Sequence, residues 1–333
     1  ERRPVQKCNS GSPPYTAWIP TGMPRIPEDV LDSVLFMYAQ SDDADQGINA
    51  KGTAFVFGYP CAAPHLEKLF HFYAVTNNHV VKDAPVVRLN RKDGGTDTIG
   101  NDTEDWERDE RADVAILPLE IDWTKYDIFF LGKNFLISRS DIDDFDIGLG
   151  EDVFMIGYFQ DHGDQKRNTP FARFGHISML PLNVDGHDRE EIGYSVDMRS
   201  RDGFSGSPVF MYRNPGSNLK FGVETGRSDL HEDGILKLLG INWGGFPEAR
   251  DAGMKGISVM NSVTPAWKIT EVLEREVFVK QREIAEKNTI PPTIEEESAV
   301  NNPESPVSKG EVEQEGDSLL KTMLDTPPTP HPK

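Results

Sequence analysis

A serine stands between two glycines in Gly203-Phe204-Ser205-Gly206-Ser207-Pro208, just before the apolar run Val209-Phe210-Met211. A serine hydroxyl attacks a carbonyl only when a base takes its proton and nearby amides receive the negative charge that develops. Gly203 can adopt a backbone conformation closed to other residues, and Gly206 leaves room for an approaching substrate. The amides of Gly203 and Ser205 could then converge on one oxyanion. Taken alone, the hexapeptide also suits an ordinary Gly/Ser/Pro surface turn.

Two further groups would complete the chemistry. His79 follows the apolar run Tyr73-Ala74-Val75-Thr76 and could act as the base, a setting that none of the other seven histidines shares. Asp113 opens the run Val114-Ala115-Ile116-Leu117, where a partly buried carboxylate needs a partner. Paired with His79, it would fix the imidazole tautomer and stabilise the imidazolium that forms when Ser205 gives up its proton. By itself, an aspartate at this position could equally cap a turn.

Such residues must be held by a rigid framework. From Ser33 to Ser262 the chain shows short apolar or alternating runs broken by Gly, Asn, Asp and Pro, an all-β pattern. Strands are expected over Thr53 to Phe57, Phe70 to Thr76, Val86 to Leu89, Val114 to Pro118, Val153 to Tyr158, Arg173 to Leu180, Gly193 to Met198, Pro208 to Tyr212 and Leu238 to Trp243. Their number and spacing suit barrels, with a connection between Asp122 and Asp152 that carries the acidic cluster Asp141, Asp143, Asp144 and Asp146. Thr264 and Pro265 read as the start of a helix of about five turns, with Ile269, Leu273, Val277 and Ile284 on one face. Residues 1–27 form a Pro-rich extended arm. Residues 288–333, with eight prolines and nine acidic residues, read as a disordered acidic tail. The apolar island from Leu319 to Leu324 within it could dock on a partner.

Composition narrows the function classes. The chain has 333 residues, 55 acidic and 35 basic, and its formal charge of −20 would repel a phosphate backbone, so no nucleic-acid partner is expected. Its two cysteines, Cys8 and Cys61, make no disulfide framework. A reducing, cytoplasmic compartment is the expectation. There is no apolar run long enough for a membrane span and no basic-then-apolar leader. The acidic stretch Asp141 to Asp152 fails as a calcium loop, because Phe145 and Asp146 stand where an oxygen ligand and a glycine are needed. With no paired Cys-x-x-Cys or His-x-x-x-His, neither a metal nor another cofactor is expected.

The order His79, Asp113, Ser205, with gaps of 34 and 92 residues, separates serine hydrolase folds. It differs from the subtilisin and α/β-hydrolase orders and agrees with the chymotrypsin one. At these residues the sequence resembles the trypsin-like serine peptidases. Thr76-Asn77-Asn78-His79-Val80-Val81 is most similar to the high-temperature-requirement type, supported by Gly52-Thr53-Ala54-Phe55 and Leu239-Gly240-Ile241-Asn242-Trp243-Gly244.

The resemblance implies two six-stranded antiparallel β-barrels, at about 28–130 and 150–262, and a terminal helix at about 265–286, within one peptidase domain over 28–287. It implies a triad of His79, Asp113 and Ser205, an oxyanion hole made by the Gly203 and Ser205 amides, and a substrate-binding strand at Asn242, Trp243 and Gly244. Arg199 would floor the primary pocket and Gly244 and Gly256 would wall it, the alternative being an arginine that reaches solvent or pairs with Asp202. Phe204 replaces the aspartate of the activatable members, so a site formed without proteolytic activation is expected, and no downstream PDZ module is expected. The function implied is a serine endopeptidase acting on protein or peptide substrates through an acyl-enzyme. A catalytically silent module that binds protein partners is the alternative.

Overall fold

The structure, a computed structural model, describes residues 26–66, 69–159, 166–183, 191–213, 235–245 and 258–289. Most of the expected arm and tail, including Leu319 to Leu324, lies outside them, as does Gly256. Among the described residues no helix is long and apolar enough to cross a membrane.

Among the described residues there are sixteen strands. The first half holds β1 (Val34–Tyr38), β2 (Gly52–Pro60), β3 (Phe70–Thr76), β4 (Val86–Asn90), β5 (Thr96–Ile99), β6 (Glu107–Asp109), β7 (Val114–Leu119) and β8 (Leu131–Gly132). The second holds β9 (Asp152–Gly157), β10 (Phe171–Met179), β11 (Leu182–Asn183), β12 (Glu191–Ile192), β13 (Tyr194–Ser200), β14 (Pro208–Arg213), β15 (Ile235–Gly245) and β16 (Ser258–Pro265). Strands β10, β13, β16, β15, β14 and β9 close into the expected six-stranded antiparallel barrel, and β11 pairs with β12 as a separate ribbon. The first half is an eight-stranded sheet, ordered β5-β4-β1-β2-β3-β7-β6 with β8 on β2, and not a closed ring. Its end strands β5 and β6 are short and half-exposed, and β6 carries Glu107, Arg108 and Asp109, the kind of edge that resists further pairing.

The long apolar runs have a simple cause: both faces of the main strands are buried. In β2, Ala54 and Val56 fill the interior of the first half while Phe55 and Phe57 join a cluster that spans the two halves. In β14, Val209 and Met211 point into the barrel and Phe210 points to the shared cluster. Burying each such side chain contributes roughly 1.5–3 kcal/mol, which makes the seam between the halves as much a core as their interiors.

The C-terminal helix differs from the sequence expectation in start, continuity and face. Pro265 is the last residue of β16, at a ladder end where its missing donor costs little, and helices then run over Trp267–Leu273 and Glu276–Asn288. Arg282 closes the break: its guanidinium donates to the Leu273 carbonyl at 2.9 Å and lies 4.2 Å over the Tyr59 ring. The break resets the helical face. Phe278, Arg282, Ala285 and Glu286 are buried, whereas Ile284 is 48% exposed. The acidic connection also has a structural role, because Ser138 and Asp141 form a reciprocal capping box at the start of the helix Arg139–Asp144.

Candidate active site

Strand register brings His79 and Asp113 together. β3 pairs with β7 through Thr76 and Ala115, so the residues just beyond the end of β3 lie beside those just before the start of β7. There the chain turns at Asn77 into the short helix Asn78–Asp83, which carries His79 in its first turn. The Asp113 carboxylate takes two bonds from the same residue: Oδ2 lies 2.6 Å from His79 Nδ1, and Oδ1 accepts the His79 backbone N–H at 2.9 Å. The Asp113 carbonyl accepts the Asn78 amide at 3.2 Å and the Asn77 side-chain amide at 3.0 Å. These bonds hold Asp113 at φ +55°, a left-handed conformation that costs a side-chain-bearing residue roughly 1–2 kcal/mol. Asp113 is buried, while the His79 side chain is 43% exposed.

Ser205 sits on the turn that enters β14. Both flanking glycines have positive φ, +99° at Gly203 and +84° at Gly206. Space is equally demanding, since a Cβ at Gly203 would lie 2.7 Å from the Tyr158 ring and one at Gly206 would overlap the Thr53 carbonyl and the Thr76 hydroxyl. Within the turn, the Phe204 amide donates to the Arg201 carbonyl and the Ser207 amide to the Phe204 carbonyl. Among the described residues, the amides of Gly203 and Ser205 have no acceptor. The Ser205 hydroxyl donates to the Trp243 carbonyl at 3.5 Å. Trp243 also presents its ring edge-on to His79, with centroids 6.3 Å apart. Phe204 is fully buried in the barrel core, 6.2 Å from Phe159 and under the Arg173 guanidinium, so the turn is anchored by apolar packing.

The expected substrate-binding residues have different surroundings. Asn242 is buried and occupied: its N–H donates to Ser207 O at 2.8 Å, its carbonyl accepts Gly206 N–H at 3.0 Å, and its side chain donates to Phe204 O at 2.9 Å. It therefore supports the Ser205 turn and offers no open backbone to a substrate, which corrects the sequence expectation. The β14–β15 ladder ends at Ile241, four residues before β15 does, and Gly244, at φ +124°, has Ser205 Oγ as its near neighbour. Arg199 lies exposed on β13. Beside Asp113 and Trp243 is a cavity of about 290 Å³, with Arg111, Lys268 and Glu271 in its wall.

Two features escaped the sequence reading. Thr53 is fully buried and bonded to the Ser205 turn, and its signal was a polar residue opening the apolar run Ala54-Phe55-Val56-Phe57. The second is another histidine–carboxylate pair, between His71 Nε2 and Glu286 Oε1 at 3.0 Å. Burial alone would raise the Glu286 carboxyl, but hydrogen bonds from His71 and the Ala62 and Ala63 amides outweigh it and hold the group below its ordinary value. Cys61 joins them, and the three residues bring possible metal-ligand atoms within 4.8 Å of one another. With the carboxylate already accepting three donors, the cluster is suited to docking the last helix.

A family model described as a trypsin-like peptidase domain matches residues 46–214, which include His79, Asp113 and Ser205. None of the curated proteins matches the sequence. Similar solved structures include an HtrA-type protease, AlgW, with a tripeptide, at 17% identity and TM-score 0.41, covering 73% of this chain and 60% of that one. Another is Deg5, at 15% identity and TM-score 0.37, covering 73% of this chain and 88% of that one. The chain thus spans less than two thirds of the AlgW structure's length. With the family match over half of its length, the chain belongs to the trypsin-like peptidases.

Proposed function

We propose that the chain is a serine endopeptidase in which Ser205 is the nucleophile, His79 the general base and then acid, and Asp113 the residue that orients His79. The carrying observation is the double engagement of His79 by Asp113, through ring and backbone at once. With Nδ1–H directed to Asp113, a neutral ring has its lone pair on Nε2, where it can take a proton from Ser205. The Ser205 oxygen then bonds to the scissile carbonyl carbon, and the amides of Gly203 and Ser205 receive the oxyanion. His79 returns the proton to the leaving nitrogen as the C–N bond breaks, and water repeats the sequence to release the acyl group. An extended substrate would lie along β15 at Gly244 and Gly245, beyond the end of the β14 ladder, as an added strand.

Ser205→Ala is expected to lower turnover of an unstructured protein substrate by several orders of magnitude, leaving only the contribution of binding and the oxyanion hole. Equal cleavage by wild type and Ser205→Ala would sink the proposal.

A second reading, a silent module that holds partners, draws on one feature. The Ser205 hydroxyl points to the Trp243 carbonyl, whereas attack requires it to donate to His79. Rotation about the Cα–Cβ bond moves it between acceptors, and catalytic hydrogen bonds often tighten only with substrate bound. Burst release of product followed by slower turnover would favour the enzyme.

A further inference from the structure

Thr53 is engaged at every polar group, and each bond leads to a different part of the site. Its amide donates to the Ser205 carbonyl at 2.9 Å. Its hydroxyl donates to the Gly203 carbonyl at 2.9 Å and accepts the Tyr158 amide at 2.9 Å. Its carbonyl accepts the hydroxyl of Thr76, three residues before His79, at 2.6 Å. The space around it is cleared by glycines: a Cβ at Gly157 would lie 2.8 Å from the Thr53 hydroxyl, and one at Gly206 would overlap its carbonyl.

We infer that Thr53 is a positioning residue for the oxyanion hole, a role that rests on the peptidase reading above. Gly203 at φ +99° has no side chain to resist rotation of its flanking peptide planes, so the aim of its amide must be fixed from outside. Thr53 holds the carbonyls of Gly203 and Ser205, which fixes the peptide plane that follows each of the two residues whose amides would receive the oxyanion and so limits how their backbone can turn. The hydroxyl proton has one direction to take. The Tyr158 amide occupies a lone pair, which leaves the proton for Gly203 O. The same residue thereby ties the first sheet to the barrel at the point where base and nucleophile must meet.

The test compares Thr53→Val with Thr53→Ser in the full chain. Valine keeps the shape and the backbone amide but removes the hydroxyl, so kcat should fall roughly 10-fold to 100-fold with KM within about twofold, less than loss of an oxyanion donor outright. Serine restores the hydroxyl and should keep kcat within about threefold of wild type. A peptide boronic acid, whose tetrahedral adduct places an oxygen in the hole, should lose affinity in step with kcat. If Thr53→Val does not fold by thermal melting, Thr53→Ala against Thr53→Ser makes the same comparison at smaller volume. Unchanged kcat in the hydroxyl-free variants, equal loss in Thr53→Ser, or a loss confined to KM would overturn the inference. Wild-type chain that neither turns over substrate nor labels with a fluorophosphonate would sink the peptidase reading and this inference with it. Labelled, active wild type beside an unaffected Thr53→Val would sink only the role of Thr53.

Discussion

The chain contains two histidine–carboxylate pairs built from the same groups on neighbouring parts of one sheet. His79 and Asp113 lie at the end of β3, and His71 and Glu286 join the body of β3 to the last helix. In each, the carboxylate also accepts backbone N–H groups, one at Asp113 and two at Glu286. Exposure separates them: the His79 side chain is 43% exposed, while that of His71 is 0% exposed. A partnered histidine can serve as a base only if its second nitrogen reaches a reactant. His79 stands beside Trp243, whose carbonyl accepts the Ser205 hydroxyl, and His71 is sealed against the helix Glu276–Asn288. In the proposed function, the same pair chemistry serves catalysis at one end of the strand and tertiary docking at the other.

Substitutions should separate the two pairs cleanly. Asp113→Asn is the largest expected effect: asparagine tolerates the left-handed backbone and keeps the shape, but kcat should fall about 10,000-fold as the imidazole loses its orienting carboxylate. Its melting temperature should change little. Glu286→Ala should do the reverse, costing about 3 kcal/mol of stability by stranding the Ala62 and Ala63 amides and the His71 ring, with kcat per folded molecule unchanged. Denaturant melts and active-site-titrated kinetics on both variants would check this, and a matching pattern of losses would erase the distinction.

A pH series sharpens the contrast. The Glu286 carboxyl is held below its ordinary value of 4.5, so its charged form favours the folded state. The stability gap between wild type and Glu286→Gln should be complete near neutral pH and close as pH falls below 4.5 through the lower folded value. Asp32 gives the opposite sign and the smallest effect. Burial, with Asp127 nearby, pushes its carboxyl up to about 6, so its ionisation disfavours the fold. Asp32→Asn should raise stability at pH 8 by about 1 kcal/mol, allowing for solvent screening of a half-exposed group, and the gain should vanish toward pH 4. Melting curves across pH would check both signs.

The sequence disclosed what depended on local pattern. Strands such as Phe70–Thr76 were legible as apolar runs because both of their faces are buried. β16 was hidden by its own polarity: Asn261 is fully buried and its side-chain N–H donates to the Met198 carbonyl, an arrangement no hydropathy pattern reports. The open first sheet depends on short charged edges whose pairing is decided in three dimensions. The split terminal helix depends on Arg282 reaching Leu273, and the pairing of His71 with Glu286 joins residues 215 positions apart. The pairing of His79 with Asp113 was legible through order and setting, whereas a polar residue opening an apolar run marked Thr53 without revealing which atoms it touches.

The central claim, that Ser205 is activated by His79, is tested most directly by labelling with a fluorophosphonate and locating the adduct by intact-mass and peptide mass spectrometry. The account predicts one adduct per chain, on Ser205, formed by wild type and lost in His79→Ala at unchanged fold. Equal labelling of the two proteins, or an adduct on another residue, would contradict it.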